Sequence, residues 1–278
     1  MSGSTRQGGW PHVLDPLLWA WSSHRRVPYR WSEMWTKEGR RAHYRRWVDA
    51  LAEEVRVALK QRSLAYPSGW TAEDLNHLHE VFVEGCYNVD GFLPSAGEVV
   101  IDAGCEWGDF TCLAVRSGSH VIAFDPSTDN VRRTEELLTA NGFRAEVHAA
   151  ALGRRSGSIH LSRAGDRTLS IRGSGETQEV PVRSLDELAL PSVRLLKVDV
   201  EGMELDVLRG GETMLGRDRP KIIVEVHGKS MAEEVGQFLG AAGYSLVRLG
   251  PRKRVRNFGF VRDTFWSPRE TPPLTPPT

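Results

Sequence analysis

The sequence predicts an α/β protein built on a doubly wound, mainly parallel seven-stranded sheet, with an antiparallel hairpin at one edge and a helical N-terminal extension. Three observations carry this. Short apolar runs rich in Val, Ile and Leu alternate with stretches of helical period. Glycines stand where those helices should end. Several apolar runs stop abruptly at an acid. Strands alternating with helices of this length imply right-handed βαβ crossovers and a parallel sheet.

The elements follow in order. Seven of the nine tryptophans precede Thr71, as does an Arg-rich stretch from His24 to Lys60. Within it Trp47, Leu51, Val55 and Leu59 fall at helical spacing. A second helix is expected over Thr71–Gly85, with Thr71 as N-cap. Strands are expected at Val99–Ala103, His120–Asp125, Ala145–Leu152, Leu195–Val200, Lys221–His227, Ser245–Leu249 and Phe258–Arg262. Helices are expected at Asp109–Ser117, Asp129–Asn141, Met203–Leu215 and Met231–Ala242, capped by Ser127 or Thr128 at one start and by Gly118, Gly142, Gly216 and Gly243 at the ends. The last two strands have no helix between them and read as an edge hairpin. The chain therefore divides into a helical, Arg/Trp-rich segment (1–79), a main domain (80–265) and a Pro-rich tail (266–278) whose composition cannot pack.

Composition excludes several classes. Lys+Arg and Asp+Glu both number 36, so bulk charge points to no polyanionic partner. Three cysteines without a CxxC pair give neither a disulfide framework nor a zinc ribbon, and fit a reducing compartment. No apolar run approaches the roughly 20 residues of a membrane span, and the first residues lack the apolar core of a signal peptide. A soluble cytoplasmic protein is expected.

The stretch VVIDAGCEWGDFT, Val99 to Thr111, holds the first functional signal. In an open parallel sheet, ligands sit beyond the carboxyl ends of the strands. Asp102 ends the first strand, Gly104 and Gly108 permit a tight turn and close approach, and the helix that follows aims its N-terminal amides at the same space. An acid beside a helix N-terminus suits a ligand bearing both an ammonium and a carboxylate. The second strand ends in Asp125–Pro126, where an acid accepts from ribose hydroxyls. An amino-acid head with a ribose describes S-adenosylmethionine. A dinucleotide would want G-x-G-x-x-G instead, and Glu106 at the tight point would repel pyrophosphate.

These segments, together with EVFVEGCYN, VIAFDPSTDN, VHAAALG, VPVRSLDEL, LLKVDVEGMELDVLRGG and IIVEVHG, resemble the FkbM-type family of S-adenosylmethionine-dependent methyltransferases over about residues 80–262. The resemblance implies the Rossmann-like methyltransferase fold and O-methylation of hydroxyls on sugars, glycans or secondary metabolites. By position, Asp102, Gly104, Gly108 and Thr111 should border the methionine half of the cofactor, Asp125 the ribose, and His148, Ala149 and Ala150 the adenine. Cys105, Glu106 and Trp107 stand where the family carries small or aliphatic residues. They should reshape the methionine end.

For transfer to oxygen, a base within hydrogen-bond reach of the acceptor is expected. Asp199 and Glu201 at the end of the fourth strand, with His227 at the end of the fifth, are the candidates. Three readings stay open: they bind and deprotonate the acceptor; they hold a divalent ion such as Mg²⁺ or Mn²⁺; or the acids cap the next helix. Lys197 reads as a strand residue. Arg163, Arg167 and Arg172 belong to a polar stretch expected to lie over the site and offer charge to an anionic acceptor. The Arg/Trp-rich segment keeps an RNA methyltransferase in view, though nucleic acid is the less favoured partner. The departures at Glu106 and Trp107 keep a non-catalytic binding domain in view.

Overall fold

The computed structural model describes residues 36–164, 168–170, 176–250 and 261–269. Two helices, α1 (Lys37–Gln61) and α2 (Ala72–Asn76), and a π-helical turn at Glu80–Glu84 precede β1 (Val99–Ala103). Then come α3 (Asp109–Arg116), β2 (His120–Asp125), α4 (Thr128–Ala140), β3 (Glu146–Ala149), β4 (Ala151–Leu152), β5 (Gly157–Ala164), β6 (Thr168–Ser170) and β7 (Thr177–Arg183). A 3₁₀ turn at Leu185–Glu187 leads to β8 (Leu195–Val198), α5 (Glu204–Gly210), α6 (Glu212–Asp218), β9 (Lys221–His227), α7 (Lys229–Ala241), β10 (Tyr244–Leu249) and β11 (Val261–Pro268).

The main sheet has the order β10-β11-β9-β8-β1-β2-β3. Its β3, β2, β1, β8 and β9 run parallel, and β11 runs antiparallel to both its neighbours. This is the doubly wound architecture the sequence predicts. Side chains alternate across it: Val100 and Ala123 enter one core with Phe110 and Leu137, while Ile101 and Ile122 enter the other with Leu196 and Leu208.

The structure departs from expectation at several points. The predicted strand Ala145–Leu152 breaks at Ala150, whose N–H turns back to His148 O (3.0 Å). Its first half, β3, joins the main sheet. Its second half, β4, opens a separate four-stranded sheet, β4-β7-β5-β6, that was not predicted because β7 is polar and largely exposed. The expected helix Met203–Leu215 divides at Gly211 and continues past Gly216 to Asp218. It ends on Arg219, held at φ +51° while its guanidinium donates to Ala242 O and Gly243 O. The expected helix over Thr71–Gly85 keeps its N-cap, as a Thr71–Asp74 capping box, but is interrupted after Asn76.

The strand β11 runs on to Pro268 and buries Trp266, so residues 266–268 belong to the sheet rather than to a tail. Nor is the stretch before residue 80 separate where it is described: Val55, Leu59, Leu75 and Leu78 share a core with Phe110 and Cys112. Residues 1–35 with five of the tryptophans, Arg167, Arg172, the first residues of the predicted strand from Phe258, and the chain beyond 269 lie outside the described residues, as does the side chain of Arg163.

Candidate active site

The carboxyl ends of β1, β2 and β8 meet at the switch point of the sheet. Strands β1 and β8 are parallel neighbours with Asp102 opposite Lys197. That register sets a buried ion pair: Lys197 Nζ lies 3.2 Å from Asp102 Oδ1 and 3.7 Å from Asp199 Oδ2, and donates to Gly104 O (2.6 Å). Burial opposes the lysine's charge, but Asp102, Asp199 and Asp109 hold it above its ordinary range. Thr111 Oγ1 donates to Asp102 Oδ2 (2.6 Å). Asp102 and Thr111 are both fully buried. The ammonium that the sequence reading assigned to a ligand is thus the chain's own Lys197.

The two glycines serve the chain's packing as well. A Cβ on Gly104, at φ +81°, would lie 1.7 Å from the carbonyl oxygen of Asp199. One on Gly108 would lie 2.6 Å from Thr134 Cγ2 of α4. Cys105 is buried against Thr134, with Sγ 3.6 Å from its hydroxyl.

At the end of β2, Asp125 organises the loop after β1. Its Oδ2 accepts from Glu106 N–H (3.0 Å), and its Oδ1 accepts from Ser127 N–H (2.8 Å) and Asn130 Nδ2 (3.1 Å). Burial lifts its carboxyl to about 7, those donors partly offsetting it. Glu106 takes a left-handed φ of +46° to make this contact. The next residue turns the other way. Trp107 is buried, stacked on His77 at 4.2 Å and 10°, edge-on to Trp70 at 5.2 Å, with the Arg133 guanidinium 4.7 Å from its ring centre. It therefore docks the helical extension and does not reshape the ligand end. Glu106 stays at the opening, its Oε1 3.3 Å from His77 Nδ1.

One cleft gathers these groups. Gly104, Glu106, Asp125, Pro126, Asn130, Asp199 and Glu201 all line it. Ala150, Leu152, Leu161 and Met203 supply an apolar wall, Leu161 coming from the second sheet. The cleft is narrow, with about 60 Å³ of free volume. Of the three residues expected around adenine, only Ala150 faces it. His148 stacks on Phe124 at 4.9 Å and, with Ala149, lines a different groove of about 480 Å³ that includes Arg183 and Pro191. The turn at Ala150 is the cause, since it sends the chain from one sheet to the other. Asp102, Cys105, Gly108 and Thr111 support the cleft from behind without lining it.

The acids after β8 and the histidine of β9 do come together. Asp199 N–H extends the β1 ladder to Ala103 O (2.8 Å). Glu201 then sits at φ +56° and Gly202 at φ +108°, a turn that presents the Glu201 side chain to the cleft. His227 Nε2 lies 3.6 Å from Glu201 Oε2 and 3.9 Å from Asp199 Oδ1, and its Nδ1 lies 2.8 Å from Glu204 Oε1. Burial disfavours the imidazolium, yet Glu204, Asp199 and Glu201 raise it to about 9. Burial raises Glu201 to about 7, with His227 working against the shift. The three acids thus favour the charged form of His227, which sits behind Asp199 and Glu201.

Helix α5 starts at Glu204. Its N-cap position, Met203, makes no side-chain cap, and the acid that accepts the nearby Gly202 N–H is Glu204 (2.8 Å). Among the described residues no group of three or more His, Cys, Asp or Glu side chains is arranged as a metal site, and no helix is long and apolar enough to cross a membrane. The sequence reading missed Lys197 as a site residue and Glu204 altogether. The signals were a lysine in an otherwise apolar strand and an acid three residues after Glu201.

Residues 90–246 match the methyltransferase FkbM domain. Methyltransferase 1 of Beauveria bassiana is 31% identical over 194 residues, which cover 58% of this chain and 76% of that protein. The hexuronic acid methyltransferase AglP of Haloferax volcanii is 26% identical, over 73% of this chain and 89% of that one. A solved FkbM methyltransferase from Methylobacillus flagellatus aligns with a TM-score of 0.48 and 16% identity, over 78% of this chain and 60% of its own. With the domain match spanning more than half of its length, the chain belongs to the FkbM family of methyltransferases.

Proposed function

We propose that the protein is an S-adenosylmethionine-dependent O-methyltransferase acting on a hydroxyl of a sugar, glycan or secondary metabolite. The observation that carries this is that Glu106, Asp125, Asp199 and Glu201 line one cleft at the carboxyl ends of β1, β2 and β8. The donor set fits the cofactor: Asp125 at the strand end for ribose hydroxyls, and Ala150 with Leu152 as a flat apolar wall for the base. Glu106 and Glu201, whose side chains are 48% and 33% exposed, are the most exposed acids of the cleft.

When bound, the cofactor supplies a sulfonium methyl group, which the acceptor oxygen takes as the carbon–sulfur electron pair leaves on neutral S-adenosylhomocysteine. What remains for the protein is the hydroxyl proton. Glu201, raised to about 7 and partly exposed, receives it and passes it to solvent. Asp199, fixed by Lys197, orients the acceptor. A sugar acceptor is supported by the relative that methylates a hexuronic acid.

The test is calorimetry with S-adenosylmethionine, followed by release of S-adenosylhomocysteine over a panel of hydroxylated sugars. Glu201→Gln should lower turnover by about 10²–10⁴-fold, with cofactor affinity unchanged. In the parent, activity should rise as pH increases through about 7, where Glu201 loses its proton. Full turnover in Glu201→Gln removes Glu201 as the base.

A further inference from the structure

We infer that Glu204, a residue that does not line the cleft, is the positioning residue of the acceptor side, acting through His227 and through the turn that carries Glu201. The inference rests on the reading of Asp199 and Glu201 given above and adds the element that holds them in place.

Glu204 is fully buried in the first turn of α5. One of its oxygens, Oε1, does two things at once: it accepts the Gly202 N–H (2.8 Å) and meets His227 Nδ1 (2.8 Å). The first contact pins the turn in which Glu201 (φ +56°) and Gly202 (φ +108°) both take left-handed backbone, a conformation that a glutamate resists without outside restraint. The second fixes the plane of the imidazole. With Nδ1 committed to Glu204, Nε2 is turned toward Glu201 Oε2 and Asp199 Oδ1. The other oxygen of Glu204, Oε2, is buried with no hydrogen-bond partner among the described residues. The imidazolium of His227 is thus the compensation for this carboxylate's charge, and removing either partner strands the other.

The consequence is a three-part line, Glu204 to His227 to the Glu201/Asp199 pair. The charged groups facing His227 are Glu204 from α5 and Asp199 and Glu201 from the loop after β8. A fixed cation behind two carboxylates lets both approach one hydroxyl without mutual repulsion driving one of them to protonate. It also keeps Glu201 ionised closer to neutrality than burial alone would allow. This is the logic by which a buried acid orients a histidine in hydrolytic triads, applied here to a histidine that steadies acids and does not itself take the proton.

The experiment needs no acceptor. Nitrogen-15 spectra of the histidine rings and carbon-13 spectra of the glutamate carboxylates are followed through a pH titration of the full chain. In the parent, His227 should titrate near 9 and Glu201 near 7. In Glu204→Gln, His227 should fall by more than about two pH units, to below the Glu201 titration. Glu201, which also faces Asp199, Glu106 and Glu204, should move up by about half a unit or more, because losing its cationic neighbour outweighs losing the weaker repulsion from Glu204. S-adenosylhomocysteine affinity should stay within about twofold of the parent. A merely structural role for Glu204 would leave the Glu201 titration in place. An unmoved His227 or an unmoved Glu201 overturns the proposal. If Glu204→Gln does not fold, Glu204→Asp keeps the charge but withdraws it from the ring, and the same two titrations should shift in the same directions by less; no shift in that variant also overturns it. Failure of the catalytic reading shows elsewhere, as full turnover in Glu201→Gln, and leaves these titrations untouched.

Discussion

Replacing Lys197 by Met removes a cation from between Asp102, Asp199 and the Gly104 carbonyl while keeping a similar volume. Asp102 is then left fully buried, with the Thr111 hydroxyl as its one side-chain partner among the described residues. Breaking a buried pair by removing one member costs about 3–5 kcal/mol, because an uncompensated charge stays behind. For a domain of this size each kcal/mol moves Tm by about 2–4 °C, so a fall of about 6–20 °C is expected at pH 7.5. The pH dependence has a definite sign. Burial already raises the Asp102 carboxyl above its ordinary range, and loss of Lys197 raises it further. The folded variant then binds a proton that its unfolded chain releases at lower pH, so its stability falls as pH rises through that raised value. The gap between parent and variant should therefore be smaller at pH 5 than at pH 7.5, read by thermal unfolding in circular dichroism. Lys197→Met combined with Asp102→Asn should recover most of the loss, since no charge is then stranded. A loss below about 1 kcal/mol at pH 7.5, or an equal loss at both pH values, would refute the view that this pair holds β1 to β8.

Asp125→Asn cannot accept from Glu106 N–H, Ser127 N–H and Asn130 together. Losing one charged acceptor of about 1.5–3 kcal/mol should weaken S-adenosylmethionine binding by about ten- to a hundredfold in calorimetry, and parent-like affinity would misplace the ribose end. Trp107→Ala empties the space between His77 and Arg133. It should destabilise the fold by about 3–5 kcal/mol in denaturant unfolding, and a change under about 1 kcal/mol would mean that the extension is held elsewhere.

The strands were legible where an apolar run met an acid or a glycine. Asp102 and Asp125 mark the ends of β1 and β2, and Gly118, Gly142 and Gly243 take the positive φ expected after helices. Gly216 misled because the helix has another way to stop: Arg219 goes left-handed and spends its side chain on the next helix's terminal carbonyls. The second sheet was invisible because β7, TQEVPVR, buries only two of its residues, and a polar strand in a small sheet reads like a loop. Residue type and spacing anticipated that Asp125, Asp199 and Glu201 share one cleft, with His227 beside the two acids of β8. Direction was the part that sequence could not carry. Trp107 follows a residue that lines the cleft and points away from it, and Ala149 precedes one that lines it yet faces another groove with His148. Lys197 was hidden for a different reason, since only the register of β1 against β8 sets it opposite Asp102.

Glu106 and Trp107 are neighbours in the chain with opposite allegiances. One gives its backbone to Asp125, and the other lodges its ring among Trp70, His77 and Arg133. The nucleoside end of the cleft and the N-terminal helices are consequently joined by a single peptide unit. Anything that seats the helices more firmly also settles the loop, and whatever fills the cleft returns the favour by the same amount, because linkage between two equilibria is reciprocal. On the proposed reading of the cleft, helices α1 and α2 would tune cofactor affinity through the loop that carries Glu106 and Trp107.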